Sequence, residues 1–376
     1  MAYFDNAATS FPKPESVYSF MDSFYRTCDG SYGRGKNGLG ALVKETRFLL
    51  QKILHCDSKA VVFTPSATVA LNIVIHGLIN RVKNVYVSPF EHNAVMRSLW
   101  HFQKKGIVSI RLLDVNKDFS YDFNKIKKQF NSVKPDLVVV SHASNVFGLI
   151  SPIEEIFSLS KKYQSINILD MSQSAGLVEC NVGSTDIDVA VFAGHKTLYG
   201  PTGISGFVMS EQLDIEPVFF GGTGFDSANE DMPSDIPQKF EFGTMNVAGL
   251  AGLNASLKWI LDYGVEKLYQ EENLMRTRLI EMLKNYNGVK LVGDFQGLKY
   301  VGIVSCLING ISSDTAGSIF AEQGVKIRSG LQCAPLAHKF AGTFPSGTIR
   351  FSINHFTKES DFEELERALG YINRNL

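Results

Sequence analysis

The chain has almost no charge imbalance, no long apolar run and no ordered cysteine pattern, and each absence removes a class of protein. With 37 Lys and Arg against 38 Asp and Glu, the formal net charge of -1 offers no sign-biased surface for nucleic acid or an anionic membrane. No uninterrupted apolar segment approaches the roughly 20 residues that span a bilayer. The start, Met1-Ala2-Tyr3-Phe4-Asp5, lacks the basic and apolar regions of a secretion signal. The five cysteines, Cys28, Cys56, Cys180, Cys306 and Cys333, are odd in number and scattered, with no C-x-x-C pair and no His/Cys zinc spacing. Reduced thiols fit that set better than a disulfide framework, so the expected compartment is the cytoplasm and no metal is expected. Internal repeats and low-complexity tracts are missing as well.

What is present is the composition of an ordinary globular enzyme, with 376 residues giving room for two modest domains or one large one and a lobe. Seven short β-rich runs alternate with helix-like segments: 60–64, 84–88, 108–115, 136–142, 165–170, 188–194 and 206–210. Several are continuously apolar, as strands covered on both faces read. Ala70, Ile73, Val74, Gly77 and Leu78 fall at helical spacing between the first two. Such alternation predicts an α/β, doubly wound core with a mostly parallel sheet. After Gly221 the stretch GGTGFDSANEDMPSDIPQKFEFGTMN carries little periodicity and reads as loop. A helical pattern and a second β/α region follow, closing on an amphipathic helix with Phe362, Leu365, Leu369 and Ile372 on one face. Residues 15–250 are expected to form a large domain, and 1–14 with 251–376 a smaller one.

Gly33-Arg34-Gly35-Lys36-Asn37-Gly38 matches G-x-G-x-x-G to the letter. A dinucleotide fingerprint needs a strand before it, whereas SVYSFMDSFYRTC reads as helix. The pattern is taken as a loop.

Ligands of open parallel sheets bind beyond the carboxyl ends of the strands. Those ends carry Pro65-Ser66-Ala67-Thr68, Glu91-His92-Asn93, Ser144-Asn145, Asp170 with Gln173, and His195-Lys196. Each has an ordinary reading: Thr68 and Asp170 as caps, His92 as a hydrogen-bonded loop histidine, Asn145 as a turn residue, Lys196 as a solvated amine. Their conjunction at one edge describes a site. Hydroxyls and N–H groups at a helix N-terminus suit a phosphate. A carboxylate and a lysine suit a cofactor with a protonated ring nitrogen and an aldehyde. Pyridoxal 5'-phosphate (PLP) is such a cofactor, held by lysine as a Schiff base with Asp on the pyridinium nitrogen. His92 is expected to stack on the ring and exchange protons, its near-neutral pKa suiting that work.

Taken together, Tyr3-Phe4-Asp5-Asn6-Ala7-Ala8-Thr9, Ser144-Asn145-Val146-Phe147-Gly148, Gly194-His195-Lys196 with Tyr199-Gly200-Pro201-Thr202-Gly203, and Arg328-Ser329-Gly330-Leu331-Gln332-Cys333-Ala334 resemble the cysteine desulfurase and selenocysteine lyase family. These are class V aminotransferase-fold PLP enzymes of fold type I, and the resemblance runs from residue 3 to about 356. It implies that Lys196 holds PLP and Asp170 pairs with the ring nitrogen. Gln173 and Asn145 would contact the ring oxygen, with His92 stacked. Ala67, Thr68 and His195 would bind the phosphate, together with Thr244 from a partner subunit of a homodimer. Arg350 would grip the substrate carboxylate, aided by Asn145 and Arg328.

By the same resemblance Cys333 would attack the sulfur of L-cysteine and keep it as a persulfide. L-alanine would leave, and the R-x-G-x-x-C-A subgroup hands the sulfur to a dedicated acceptor protein, for iron–sulfur cluster assembly or another destination. The loop around Cys333 reads as mobile and electropositive, and the other four cysteines read as inert. Ala193 stands where relatives often carry a phosphate-binding hydroxyl, a loss of ~1 kcal/mol. Gln332 stands where a histidine often precedes the cysteine, and Pro65-Ser66-Ala67-Thr68-Val69 departs from the usual S-G-A-T-E. Selenocysteine lyase, aminotransferase or C–S lyase activity, and a non-catalytic sulfur-carrier role, are the alternatives.

Overall fold

A computed structural model describes residues 1–28, 38–225 and 228–375. The G-x-G-x-x-G stretch from Gly33 to Asn37 lies outside them. The helix read before it is present as α1 (Glu15–Thr27), following a two-residue strand β1 (Ala2–Tyr3), and α2 (Gly38–Ile53) comes after.

The seven runs become seven strands interleaved with helices: β2 (Ala60–Thr64), α3 (Ala67–Leu78), β3 (Asn84–Val87), α4 (Asn93–Lys104), β4 (Ser109–Leu112), α5 (Phe123–Ser132), β5 (Leu137–Ser141), α6 (Ile153–Lys161), β6 (Ile166–Asp170), β7 (Val189–Ala193) and β8 (Ser205–Met209). They form one sheet in the order β2-β8-β7-β6-β5-β3-β4. Only β8 runs against its neighbours. The pleat explains the continuous apolar runs. Val138 and Val140 of β5 and Ala190 and Phe192 of β7 face one core. Leu137, Val139, Val189 and Val191 face the other, under α3 and α4.

The stretch after Gly221 holds no helix or strand among its described residues. It is tied down where Arg47 grips Glu241 through Nη1 at 2.9 Å and Nη2 at 2.7 Å. Then α7 (Val247–Tyr263) packs along α1 and α2, so the boundary expected at residue 250 falls inside a helix whose Leu253, Leu257 and Ile260 join the core beneath the large sheet. The remaining elements are α8 (Val265–Lys284), β9 (Val289–Val292), β10 (Ile303–Ile308), α9 (Ser313–Glu322), β11 (Val325–Lys326), α10 (Pro335–Ala341), β12 (Ile349–Ser352) and α11 (Glu359–Asn375). They build a three-stranded antiparallel sheet, β12-β10-β9, over a third core. Phe362, Leu365, Leu369 and Ile372 of α11 are buried there, as their spacing predicts. The first residues of the chain join this lobe, since β1 pairs with β11 and Ala2 and Phe4 are buried in its core. Among the described residues no helix is long and apolar enough to cross a membrane.

The sheet is close-packed where β8 passes between β2 and β7. A Cβ on Gly206 would lie 2.1 Å from the Val62 carbonyl oxygen and 2.7 Å from Phe192 Cζ. Gly206→Ala is therefore expected to destabilise the protein by about 1–3 kcal/mol, read as a lower thermal midpoint. Gly222→Ala, whose Cβ meets nothing within 4 Å, should leave the midpoint unchanged; equal midpoints for all three proteins would contradict this packing.

Candidate active site

The carboxyl ends of β2, β3, β5, β6 and β7 lie along one edge of the sheet, and five turns leave it carrying polar side chains. The first turn, Pro65-Ser66, opens α3. Ser66 caps this helix, its hydroxyl accepting from the Val69 N–H at 3.2 Å. The cap reading of Thr68 is thereby corrected: Thr68 is the second residue of the helix and its side chain is exposed.

The second turn brings His92, which caps α4 by accepting the Ala94 N–H on Nδ1 at 3.0 Å. That bond places the proton of the neutral ring on Nε2. Burial, and then the nearby Lys196 charge, lowers the His92 pKa from 6.5 to about 4. The expectation of a near-neutral pKa is corrected accordingly, because the ring has lost most of its water and faces a cation.

Next to it stands a carboxyl that sequence reasoning missed. Glu91 is fully buried and accepts from Ser88 Oγ at 2.6 Å, Ser141 N at 2.6 Å and Ser141 Oγ at 2.8 Å. Burial pushes it up to about 7. Ser141 ends β5 directly opposite Asp170, which ends β6. Asp170 Oδ1 accepts from Ser172 N at 2.9 Å and Ser172 Oγ at 2.6 Å, so one carboxylate edge is fixed and Oδ2 is left for another partner. Gln173 donates to the Ala7 carbonyl at 2.9 Å, and Asn145 donates to the Gln332 carbonyl at 2.6 Å.

After β7 the chain turns through His195 and Lys196. Burial pulls the Lys196 amine down from 10.5 to about 8, opposed first by Asp170. His195 is likewise lowered to about 4 by burial and by Lys196, and its Nδ1 is buried without a partner among the described residues. Ala67, Thr68, His92, Asn145, Asp170, Gln173, His195 and Lys196 all line one cavity, with Ala193 in its wall. Eight of the predicted residues thus meet, contributed by five separate strand ends.

Cys333 sits at the rim. It is exposed, and with His92 it lines a neighbouring depression. It is close enough to Lys196 and Arg350 to affect both electrostatically. Gln332 and Cys333 both adopt positive φ, 39° and 58°, a strained conformation for residues with side chains. Three hydrogen bonds hold it: Asn145 to the Gln332 carbonyl, Asn93 N to the Cys333 carbonyl at 2.7 Å, and Ala334 N to the Leu331 carbonyl at 2.8 Å. The loop read as mobile is therefore anchored on both sides of the thiol. Gln332 takes part in that anchoring rather than merely lacking an imidazole, since it donates to the Thr348 carbonyl at 2.7 Å and accepts from His338 Nε2 at 2.8 Å. Of the remaining thiols, Cys56, Cys180 and Cys306 are pushed up to about 12 by burial, as inert cysteines would be.

Arg350, on β12, is buried at the junction of the two sheets. Its Nη1 donates to the Asn145 carbonyl at 2.9 Å and its Nη2 to Asp5 Oδ1 at 2.7 Å, while Nε has no partner among the described residues. Asp5 is a second residue the sequence reading left without a role; the only sequence signal was its place in the DNAAT motif. Arg328 pairs with Arg350 through the backbone and its side chain is exposed. Thr244 is not brought to the Lys196 cavity of its own chain; it is exposed beside Thr64 and Gly203, on a separate larger depression.

The donor set fits the cofactor that the resemblance implies. The partnerless His195 Nδ1 and the start of α3 suit a phosphate, Asp170 Oδ2 suits a protonated ring nitrogen, and the Lys196 amine suits an aldehyde. The family described as Aminotransferase class-V matches residues 2–365. A probable cysteine desulfurase of Pyrococcus abyssi is 29% identical over 387 residues, covering 98% of this chain and 93% of the relative. One from Methanothermobacter thermautotrophicus is 29% identical, covering 98% and 94%. Among solved structures, the apo cysteine desulfurase of Thermococcus onnurineus NA1 is similar with a TM-score of 0.91 at 27% identity, covering 100% of this chain and 95% of that one.

The depressed His92 pKa has a direct test. In a protein labelled with ¹⁵N-histidine and free of cofactor, His92 should remain neutral, with its proton on Nε2, as the pH falls from 7 through 6.5 to about 5. A midpoint near 6.5 would contradict the burial and the charge that surround it.

Proposed function

The chain belongs to the class-V aminotransferase family, and from that premise we propose that it is a PLP-dependent cysteine desulfurase, converting L-cysteine to L-alanine and retaining the sulfur as a persulfide on Cys333. One observation carries the reaction type: the exposed cysteine is held on a strained, anchored turn at the rim of the lysine cavity, next to His92. An aminotransferase of this fold has no use for a thiol there. The names of the relatives support the same reading.

In this proposal Lys196 would hold PLP, Asp170 would keep its ring nitrogen protonated, and His92 would stack against the ring. Gln173 and Asn145 would reach the ring oxygen, and Ala67, Thr68 and His195 would bind the phosphate, with Thr244 of a second copy completing the cup in a homodimer. When bound, PLP serves as an electron sink that acidifies the Cα–H of an attached amino acid. Arg350, with Asn145 and Arg328, orients the substrate by its carboxylate. A lysine amine near pKa 8 is partly unprotonated at neutral pH, so Lys196 could take up the Cα proton as a base. His92 stays neutral and offers its Nε2–H as a donor. The Cys333 thiolate attacks the substrate sulfur; an S–S bond forms, the substrate C–S bond breaks, and its electron pair stays with the carbon skeleton. A proton added at Cβ and the proton on Lys196 returned to Cα would complete L-alanine, and the persulfide would pass to a sulfur-acceptor protein.

Purified protein should be yellow and should release sulfide and L-alanine from L-cysteine in the presence of a reductant. Lys196→Ala should lose the chromophore. Cys333→Ala should keep it and lose desulfuration about 100-fold or more, as a removed nucleophile does. Normal turnover in Cys333→Ala would defeat the desulfurase reading in favour of another class-V reaction.

A further inference from the structure

The segment Asp5-Asn6-Ala7-Ala8-Thr9-Ser10 has no part in the reaction outlined above, yet it runs from one end of the site to the other. At its start Asp5 pairs with Ser352 in a parallel bridge, beside Arg350. Asn6 Nδ2 donates to the Ser352 carbonyl at 2.9 Å and Ala7 N donates to Ser352 Oγ at 2.8 Å, which fixes the strand register. At its far end Thr9 Oγ1 and Ser10 N donate to the His195 carbonyl at 3.1 and 3.0 Å, next to the lysine. The Ala7 carbonyl holds Gln173 between these points. One short strap thus ties the arginine of the small sheet to the lysine turn of the large one.

We propose that Asp5 is a positioning residue that orients Arg350 for the substrate's α-carboxylate. A guanidinium has five N–H donors in a rigid plane. Asp5 takes one through Nη2 and the Asn145 main chain takes one through Nη1, so both its rotation and its tilt are fixed. Nε–H is left buried without a partner among the described residues, a costly state that an incoming carboxylate relieves. Asp5 also supplies the countercharge that lets a buried arginine stay in place before substrate arrives. Because the pair is neutral overall, a carboxylate is recognised by direction more than by net charge. An arginine held by nothing would be a stronger point charge but a poorer template. The inference rests on the desulfurase reading only in taking Arg350 as the carboxylate anchor.

Asp5→Asn keeps the size and one acceptor but removes the charge. In the holoenzyme it should raise the KM for L-cysteine about tenfold, with kcat changing by less than about threefold. The calorimetric dissociation constant of L-alanine, which shares the carboxylate, should rise by a similar factor, while that of ethylamine, which lacks it, should not move. Fitted binding stoichiometry separates this effect from any loss of folded protein, and Asp5→Glu should recover part of it. Unchanged or tighter L-alanine binding in Asp5→Asn would overturn the proposal and make Asp5 a competitor of the substrate. If the wild type releases no sulfide but Asp5→Asn still weakens L-alanine binding, the desulfurase reading fails and the positioning role stands. If the wild type desulfurates and Asp5→Asn is indifferent to L-alanine, the reverse holds.

Discussion

The site depends on one lysine amine kept out of water opposite one carboxylate. Lys196 leaves the end of β7 and Asp170 ends the adjacent β6, and the parallel register of these strands fixes their separation. Burial alone would drive the amine towards its neutral form, while Asp170 opposes that drift. The outcome, near pKa 8, is an amine able both to condense with a carbonyl and to take up a proton near neutral pH. A solvated lysine would be almost wholly protonated, and a buried one without a carboxylate would be a weaker base. The rest of the fold can be understood as a means of keeping that pair in place: apolar layers on both faces of the sheet, and a polar edge where the strands stop.

A second constraint acts on the thiol. In the proposed reaction, chemistry at the substrate sulfur requires an exposed cysteine, which conflicts with holding it accurately. The structure resolves the conflict in the backbone. Two consecutive residues in the left-handed region turn the side chain outward, and the strain, on the order of 1–3 kcal/mol for each, is offset by hydrogen bonds from Asn93 and Asn145. Asn93 opens α4, just after the turn from β3, and Asn145 lies in the turn after β5, so the thiol loop of the small lobe is braced from the same edge that lines the lysine cavity. Asn145 serves three parts at once, through its side chain to Gln332, its carbonyl to Arg350 and its place in the cavity wall.

What the sequence discloses follows from chain locality. Strands buried on both faces leave continuous apolar runs, and all seven runs became strands of the large sheet. Strand ends leave polar punctuation, and eight residues singled out on that basis share one cavity. What stays hidden depends on contacts between distant positions. Asp5 and Arg350 are 345 residues apart, and nothing near either reveals the other. Glu91 precedes His92 and could pass for a solvated loop acid; only the fold buries it under Ser88 and Ser141. The His92 pKa is misjudged from sequence because desolvation is a property of the folded cavity. Ser66 and Thr68 are two residues apart in a hydroxyl-rich turn, and the cap between them is decided by where β2 stops.

The central claim is that Cys333, and no other thiol, receives the sulfur. Mass spectrometry of peptides from the holoenzyme, after brief treatment with L-cysteine and alkylation without reductant, tests it most directly. The account predicts one added sulfur atom on the Cys333 peptide and none on the peptides of Cys28, Cys56, Cys180 and Cys306. An unmodified Cys333 in protein that has nonetheless formed L-alanine would contradict it.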